Sequence, residues 1–260
     1  MVATAQCIRF YSRLPVPRLP GEADPHAMPD FRVIPRALPF AAMVIAAPSA
    51  MMIAIAGFAG LPSLVAATLA ITVAIVATGA FHEDGLADCA DGFWGGATRE
   101  RRLEIMRDSR VGTFGAAAVC VSIVLRIVAL AAVMDNLGTG AAASLLIAVA
   151  ALSRSAGLYP LWRLPPARMD GASAGVGRPT GSTLLVAMLV SCVIAVGSAH
   201  LAGLPIWRMA SLYLASAMAA LAVAGLARRK IAGQTGDVAG MAQQLAEMLC
   251  YVAIISFPAN

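Results

Sequence analysis

Seven stretches of about twenty residues dominate the chain and carry almost no formal charge: Ala37–Phe58, Pro62–Phe81, Gly112–Met134, Thr139–Leu158, Thr183–Leu201, Pro205–Leu226 and Met241–Phe257. Three of them contain no Asp, Glu, Lys or Arg, and the other four contain one each. A bilayer core of roughly 30 Å takes about 20 apolar residues as a helix, so each stretch has the length of a crossing. The rest of the composition agrees. Only 13% of the 260 residues are charged and 60% are hydrophobic, where a soluble domain has about 25% charged residues. Too little polar material is present to coat a globule in water. The expected fold is all-α: a polytopic bundle of about seven transmembrane helices forming a single integral membrane domain over residues 1–260. The spans are rich in alanine, which lets helices approach closely.

The connections set an expected orientation. Residues 1–36, 82–111, the loop after the fourth stretch, and 227–240 together hold sixteen of the nineteen Lys and Arg. The alternate connections, around Gly60, Asp135–Gly138 and Ala202–Leu204, hold none. The positive-inside rule then places the N-terminus and the basic loops in the cytoplasm. This also accounts for the net charge of +5 without a nucleic-acid partner, since basic patches interleaved with aromatics are missing. The five cysteines (Cys7, Cys89, Cys120, Cys192, Cys250) form no CxxC pair, so neither a disulfide framework nor a zinc site is expected. The first forty residues lack the long apolar run of a signal peptide.

Against this background FHEDGLADCADGFWGG, residues 81–96, stands out. If the second span continues as one helix past Phe81, Asp84, Asp88 and Asp91 fall at i, i+4 and i+7, within an arc of about 60°. Glu83 points elsewhere. Two such charges 4 Å apart cost about 4 kcal/mol at an effective dielectric of 20. A bound divalent cation offsets that, and oxygen-only ligands favour Mg²⁺, Mn²⁺ or Ca²⁺. Gly85 and Gly92 clear space for a bulky ligand. A second segment, TRERRLEIMRDSRVGTFG at 98–115, places Glu100, Glu104 and Asp108 on another face, with Thr98 able to start the helix and Arg107 and Arg110 flanking Asp108. Carboxylates that hold metal, beside arginines that fork onto phosphate, suit phosphoryl transfer. The expected metal ligands are Asp84, Asp88, Asp91, Glu104 and Asp108. A third polar island, AGQTGDVAG at 232–240, offers Gly233 and Gly236 to an anion, with Asp237 just outside an apolar helix. Arg126 in the middle of the third span must find a partner, and Arg154 stands where it could reach a phosphate. His82 is a weaker candidate ligand.

The block from His82 to Gly92, then Arg102 to Gly115, resembles the cobalamin synthase family, the adenosylcobinamide-GDP ribazoletransferases. Phe10-Tyr-Ser-Arg13-Leu14-Pro15-Val16-Pro17 is similar to that family's opening segment, and Gly233-Gln-Thr235-Gly236-Asp237 to its last motif. Ala232 and Met241 depart from the pattern. The resemblance implies a multi-pass enzyme of a bacterial inner membrane with its site on the cytoplasmic side. It would join adenosylcobinamide-GDP to α-ribazole, or to α-ribazole 5′-phosphate, with release of GMP and with Mg²⁺ as cofactor. Its catalytic set would come from Asp84, Asp88, Asp91, Asp108 and Asp237, with His82, Arg107, Arg110, Arg154, Arg13 and Thr235 binding substrate. Association with a second copy of the chain stays open. Two rivals share part of the pattern. Asp88-Cys-Ala-Asp91-Gly92 matches the start of the CDP-alcohol phosphotransferase signature, but Gly95-Gly96 stands where that signature needs Ala-Arg. A secondary transporter would explain intramembrane arginine, but seven spans give no even inverted repeat.

Overall fold

The computed structural model describes residues 1–22, 24, 25, 27–168 and 177–256. Among these residues there are ten α-helices: α1 (Val2–Tyr11), α2 (Leu38–Phe58), α3 (Ser63–Thr78), α4 (Phe81–Gly95), α5 (Arg99–Ile105), α6 (Thr113–Leu137), α7 (Thr139–Arg163), α8 (Gly181–Leu201), α9 (Trp207–Ile231) and α10 (Gly236–Ile255). A 3₁₀ turn at Ile34–Ala37 leads into α2. The described residues form no strand; a single parallel bridge joins Pro166 to Gln234.

Six helices are long and apolar enough to cross a membrane: α2 together with its 3₁₀ turn, α6, α7, α8, α9 and α10. The chain is therefore a multi-pass membrane protein. A seventh crossing arises if α3 is counted with α4 as a broken pair. Helix α7 lies at the centre of the bundle, with 83% of its most apolar window buried. Around it the small residues predicted to allow close approach do so: Ala46, Ala142, Ala148, Ala195, Ala199 and Ala215 are all buried in one continuous core. The opposite sides of the outer helices expose Leu185, Leu189, Val193, Val121 and Val124. An apolar helix left uncovered in this way is matched to lipid.

The second span differs from the sequence expectation. It does not run on past Phe81 as one helix. Helix α3 stops at Thr78, and α4 departs from it by 86°. Two successive left-handed residues make the break, Gly79 at φ 65° and Ala80 at φ 58°. Glycine takes that conformation without steric cost; alanine pays about 1–2 kcal/mol. Helix α4 therefore runs across the axis of α3 rather than continuing along it. Other boundaries also shift. The fourth span continues to Arg163, the sixth to Ile231, and the last begins at Gly236. Asp237 consequently sits in the first turn of α10 rather than in the loop before it. The expected end of that span at Phe257 lies outside the described residues.

Candidate active site

The acid-bearing helix α4 is fixed at three levels. Its back is apolar: Leu86, Cys89 and Phe93 are buried against Ile231, Val238 and Met241 among others. Its middle is held by a close crossing with α10. A Cβ on Gly85 would lie 2.9 Å from the Asp237 carbonyl oxygen and 3.0 Å from Asp237 Cα, and Gly240 Cα is just beyond at 3.3 Å. Only glycine permits this approach, and it is what brings Asp237 to the carboxylates of α4. Its start is held by an ion pair inside the bundle. Arg126 Nη2 donates to Glu83 Oε1 at 2.8 Å, and Arg126 Nη1 lies 3.5 Å from Glu247 Oε1.

The three predicted aspartates of α4 share a face but not a role. Asp84 is exposed and Asp88 half-buried. Asp91 is buried and used by the backbone: Gly112 N donates to its Oδ2 at 2.7 Å and Gly115 N to its Oδ1 at 2.8 Å. These are first-turn N–H groups of α6 and its approach, which have no intrahelical acceptor. Asp91 thus caps α6, and Gly115 is glycine because a Cβ there would collide with the same carboxylate. Asp88 is pushed up to about 7, first by burial and then by the charges of Asp237, Asp84 and Asp91, with Arg168 pulling the other way. The crowded set is therefore Asp84, Asp88 and Asp237, with Asp91 behind it.

Glu104 and Asp108 each pair with a neighbouring arginine. Glu104 is exposed and pairs with Arg101 at 2.7 Å. Asp108 forks onto Arg110, with Nη2 to Oδ2 at 2.6 Å and Nε to Oδ1 at 3.0 Å. That guanidinium lowers the Asp108 carboxyl to about 2. Helix α5, begun by Thr98 capping Arg101 N as anticipated, carries Glu104, and the turn after it carries Asp108, the two forming a ledge beside α4. Arg107 is exposed on the same ledge. Arg13 lies against the α3–α4 break: its N–H donates to Ala77 O at 2.7 Å, and its Nε fills the space a Cβ on Gly79 would need. Thr235 caps α10 by accepting from Val238 N and donates to Asp237 Oδ2 at 3.0 Å.

His82 and Arg154 are placed elsewhere. Both are buried and line a cavity of about 30 Å³ inside the bundle, together with Glu83, Arg126, Gln244 and Glu247. That volume holds about two waters, not a substrate. His82 stacks on Tyr11 at 6.0 Å. Two participants escaped the sequence. Arg168, 3.8 Å from Asp237, offered only a basic residue in a basic loop. Glu247 looked like an isolated intramembrane acid, and its signal was the need of Arg126 for a counterion.

Metal fit can be judged from the donors. Among the described residues no three His, Cys, Asp or Glu side chains converge on one point that would hold an ion. Mg²⁺ does not need such a cage: it takes one or two carboxylates and completes its shell with water and substrate phosphate. Asp84, Asp88 and Asp237 supply hard oxygen donors under mutual repulsion, and they fit it.

The model of the cobalamin-5-phosphate synthase family matches residues 3–255. The chain belongs to that family. Similar curated proteins are named adenosylcobinamide-GDP ribazoletransferase. The one from Azorhizobium caulinodans is 45% identical over 253 residues, covering 96% of this chain and 94% of its own. That from Xanthobacter autotrophicus is 42% identical over 259 residues, covering 96% and 94%. That from Sinorhizobium medicae is 40% identical over 244 residues, covering 94% and 92%. No solved structure matches the chain. Membership of the cobalamin-5-phosphate synthase family gives the acidic face of α4 a chemical setting.

Proposed function

We propose that the chain is an adenosylcobinamide-GDP ribazoletransferase. It joins the cobinamide phosphoryl group to α-ribazole or its 5′-phosphate and releases GMP. The observation that carries this reading is the crossing of α4 and α10 at Gly85 and Gly240. It gathers Asp84, Asp88 and Asp237 at the end of a membrane bundle in a chain of this family. In the reaction a ribazole hydroxyl forms the new P–O bond, the P–O bond to GMP breaks, and the hydroxyl proton passes to a carboxylate. Asp237, held by Thr235, would orient that hydroxyl. Asp84 and Asp88 would hold Mg²⁺. When bound, the ion would neutralise charge on the diphosphate oxygens. Arg168 balances the carboxylates from the α10 side. Arg107 and Arg110, in the turn after α5, are assigned to the departing nucleotide's phosphate.

The site is proposed to face the cytoplasm of a bacterial inner membrane, with the N-terminus on that side. The bias of sixteen basic residues to one set of loops supports it. The test of the metal assignment is turnover against Mg²⁺ concentration. Asp84→Asn and Asp88→Asn should each reduce turnover at least 100-fold, and EDTA should abolish it in the wild type. Near-normal turnover of Asp88→Asn would remove that residue from the metal site.

A further inference from the structure

Between the end of α7 and the last three turns of α9 lies a groove of about 620 Å³, lined by Tyr159, Arg163, Leu164, Leu221, Gly225 and Arg228. It is separate from the carboxylate face of α4. Its lining is mixed, with the apolar Leu164, Leu221 and Gly225 beside the two guanidinium groups of Arg163 and Arg228. Neither Arg163 nor Arg228 makes a hydrogen bond or ion pair among the described residues, and both are exposed. Gly225 forms a notch in the floor, where an added Cβ would meet nothing within 4 Å.

The groove continues into a stripe on α9. Leu214, Met218 and Leu221 are 62%, 50% and 55% exposed, and with Gly225 and Arg228 they recur every three or four residues, so they share one face. From Leu214 to Gly225 is eleven residues, about 16 Å of helix rise, which is half of a roughly 30 Å hydrocarbon core. The stripe therefore spans one leaflet and ends at a pair of arginines. A guanidinium pair recognises phosphate oxygens by fork geometry, and the bilayer supplies a ligand that presents a phosphate directly above an acyl chain. We propose that this groove is a binding site for one anionic phospholipid: its phosphate lies between Arg163 and Arg228, and an acyl chain runs over Gly225 along the α9 stripe. Helix α9 leads through Ala232 and Gln234 to the Thr235–Asp237 turn, so an occupied groove braces the strand of chain that carries Asp237.

The probe is native mass spectrometry of the purified full chain, washed in detergent and offered equimolar phosphatidylglycerol and phosphatidylcholine. Wild type should retain phosphatidylglycerol at least tenfold over phosphatidylcholine. The Arg163→Gln/Arg228→Gln double variant, and Gly225→Leu with its charge unchanged, should each lower retention at least fivefold. Arg229→Gln, one residue outside the stripe, should not. Equal retention of both lipids, or an equal loss in Arg229→Gln, would mean diffuse surface charge and would overturn the proposal. A second measurement covers variants that fail to fold. Glycerol phosphate, which has no acyl chain, should not displace phosphatidylglycerol from wild type at a hundredfold excess. If it does, the groove reads phosphate alone and the lipid assignment is wrong.

Discussion

At the residue scale the acidic motif divides its labour. Asp84 and Asp88 face outward, Asp91 faces the N-terminus of α6, and Glu83 faces the bundle. Charge reversal or neutralisation should therefore have different consequences at neighbouring positions. Asp91→Ala leaves two backbone N–H groups without an acceptor and should cost about 1–2 kcal/mol of stability. That lowers the melting temperature by several degrees, readable by thermal shift in detergent. Asp88→Asn should leave the melting temperature within error while turnover collapses; a matching loss of stability would make Asp88 a structural residue. Arg126→Met strands Glu83 and Glu247 in the interior, and removing one partner of a buried pair costs about 3–5 kcal/mol. Adding Glu83→Gln to the same chain should recover most of that loss, because Glu247 is then left opposite the buried Arg154 of the same cavity. A double-mutant cycle on folded yield or melting temperature checks it.

Among the elements, the break between α3 and α4 is the decisive one. It turns an acidic sequence that would otherwise continue a membrane span into a helix lying across the axis of α3. Ala80→Gly removes a left-handed alanine and should stabilise by up to about 1 kcal/mol with activity retained. Gly79→Ala strains the backbone and drives a Cβ to within 2.7 Å of Arg13 Nε, so it should destabilise and reduce turnover together. Gly85→Ala separates α4 from α10 and should lower turnover more than stability. The sequence made the spans legible because uncharged twenty-residue runs have few other uses. It also exposed the acidic cluster, since charge at the mouth of such a run is costly. It did not reveal the break: Gly79-Ala80 is unremarkable as a dipeptide, and only packing forces the alanine to a positive φ. Nor could spacing on one helix show that Asp237 joins from 146 positions beyond Asp91, or that Asp108 turns to Arg110 instead. Those facts depend on which helices cross, and periodicity is blind to that.

For the whole molecule the account describes a lipid-embedded bundle whose chemistry is mounted at one end. α7 and the alanine-rich core give the rigid part, and α4, α5 and the start of α10 form the working face. If that face is cytoplasmic, a membrane-impermeant thiol reagent added to inverted vesicles should label Glu100→Cys but not Asn136→Cys, in a background lacking Cys120. The converse pattern would reverse the orientation. The central claim is the reaction itself. The most direct measurement supplies adenosylcobinamide-GDP, α-ribazole and Mg²⁺ to the purified protein in lipid nanodiscs and follows corrinoid and nucleotide products by chromatography. The account predicts adenosylcobalamin and GMP in equal amounts, both abolished by EDTA. Folded, lipid-embedded protein that forms neither product would contradict it.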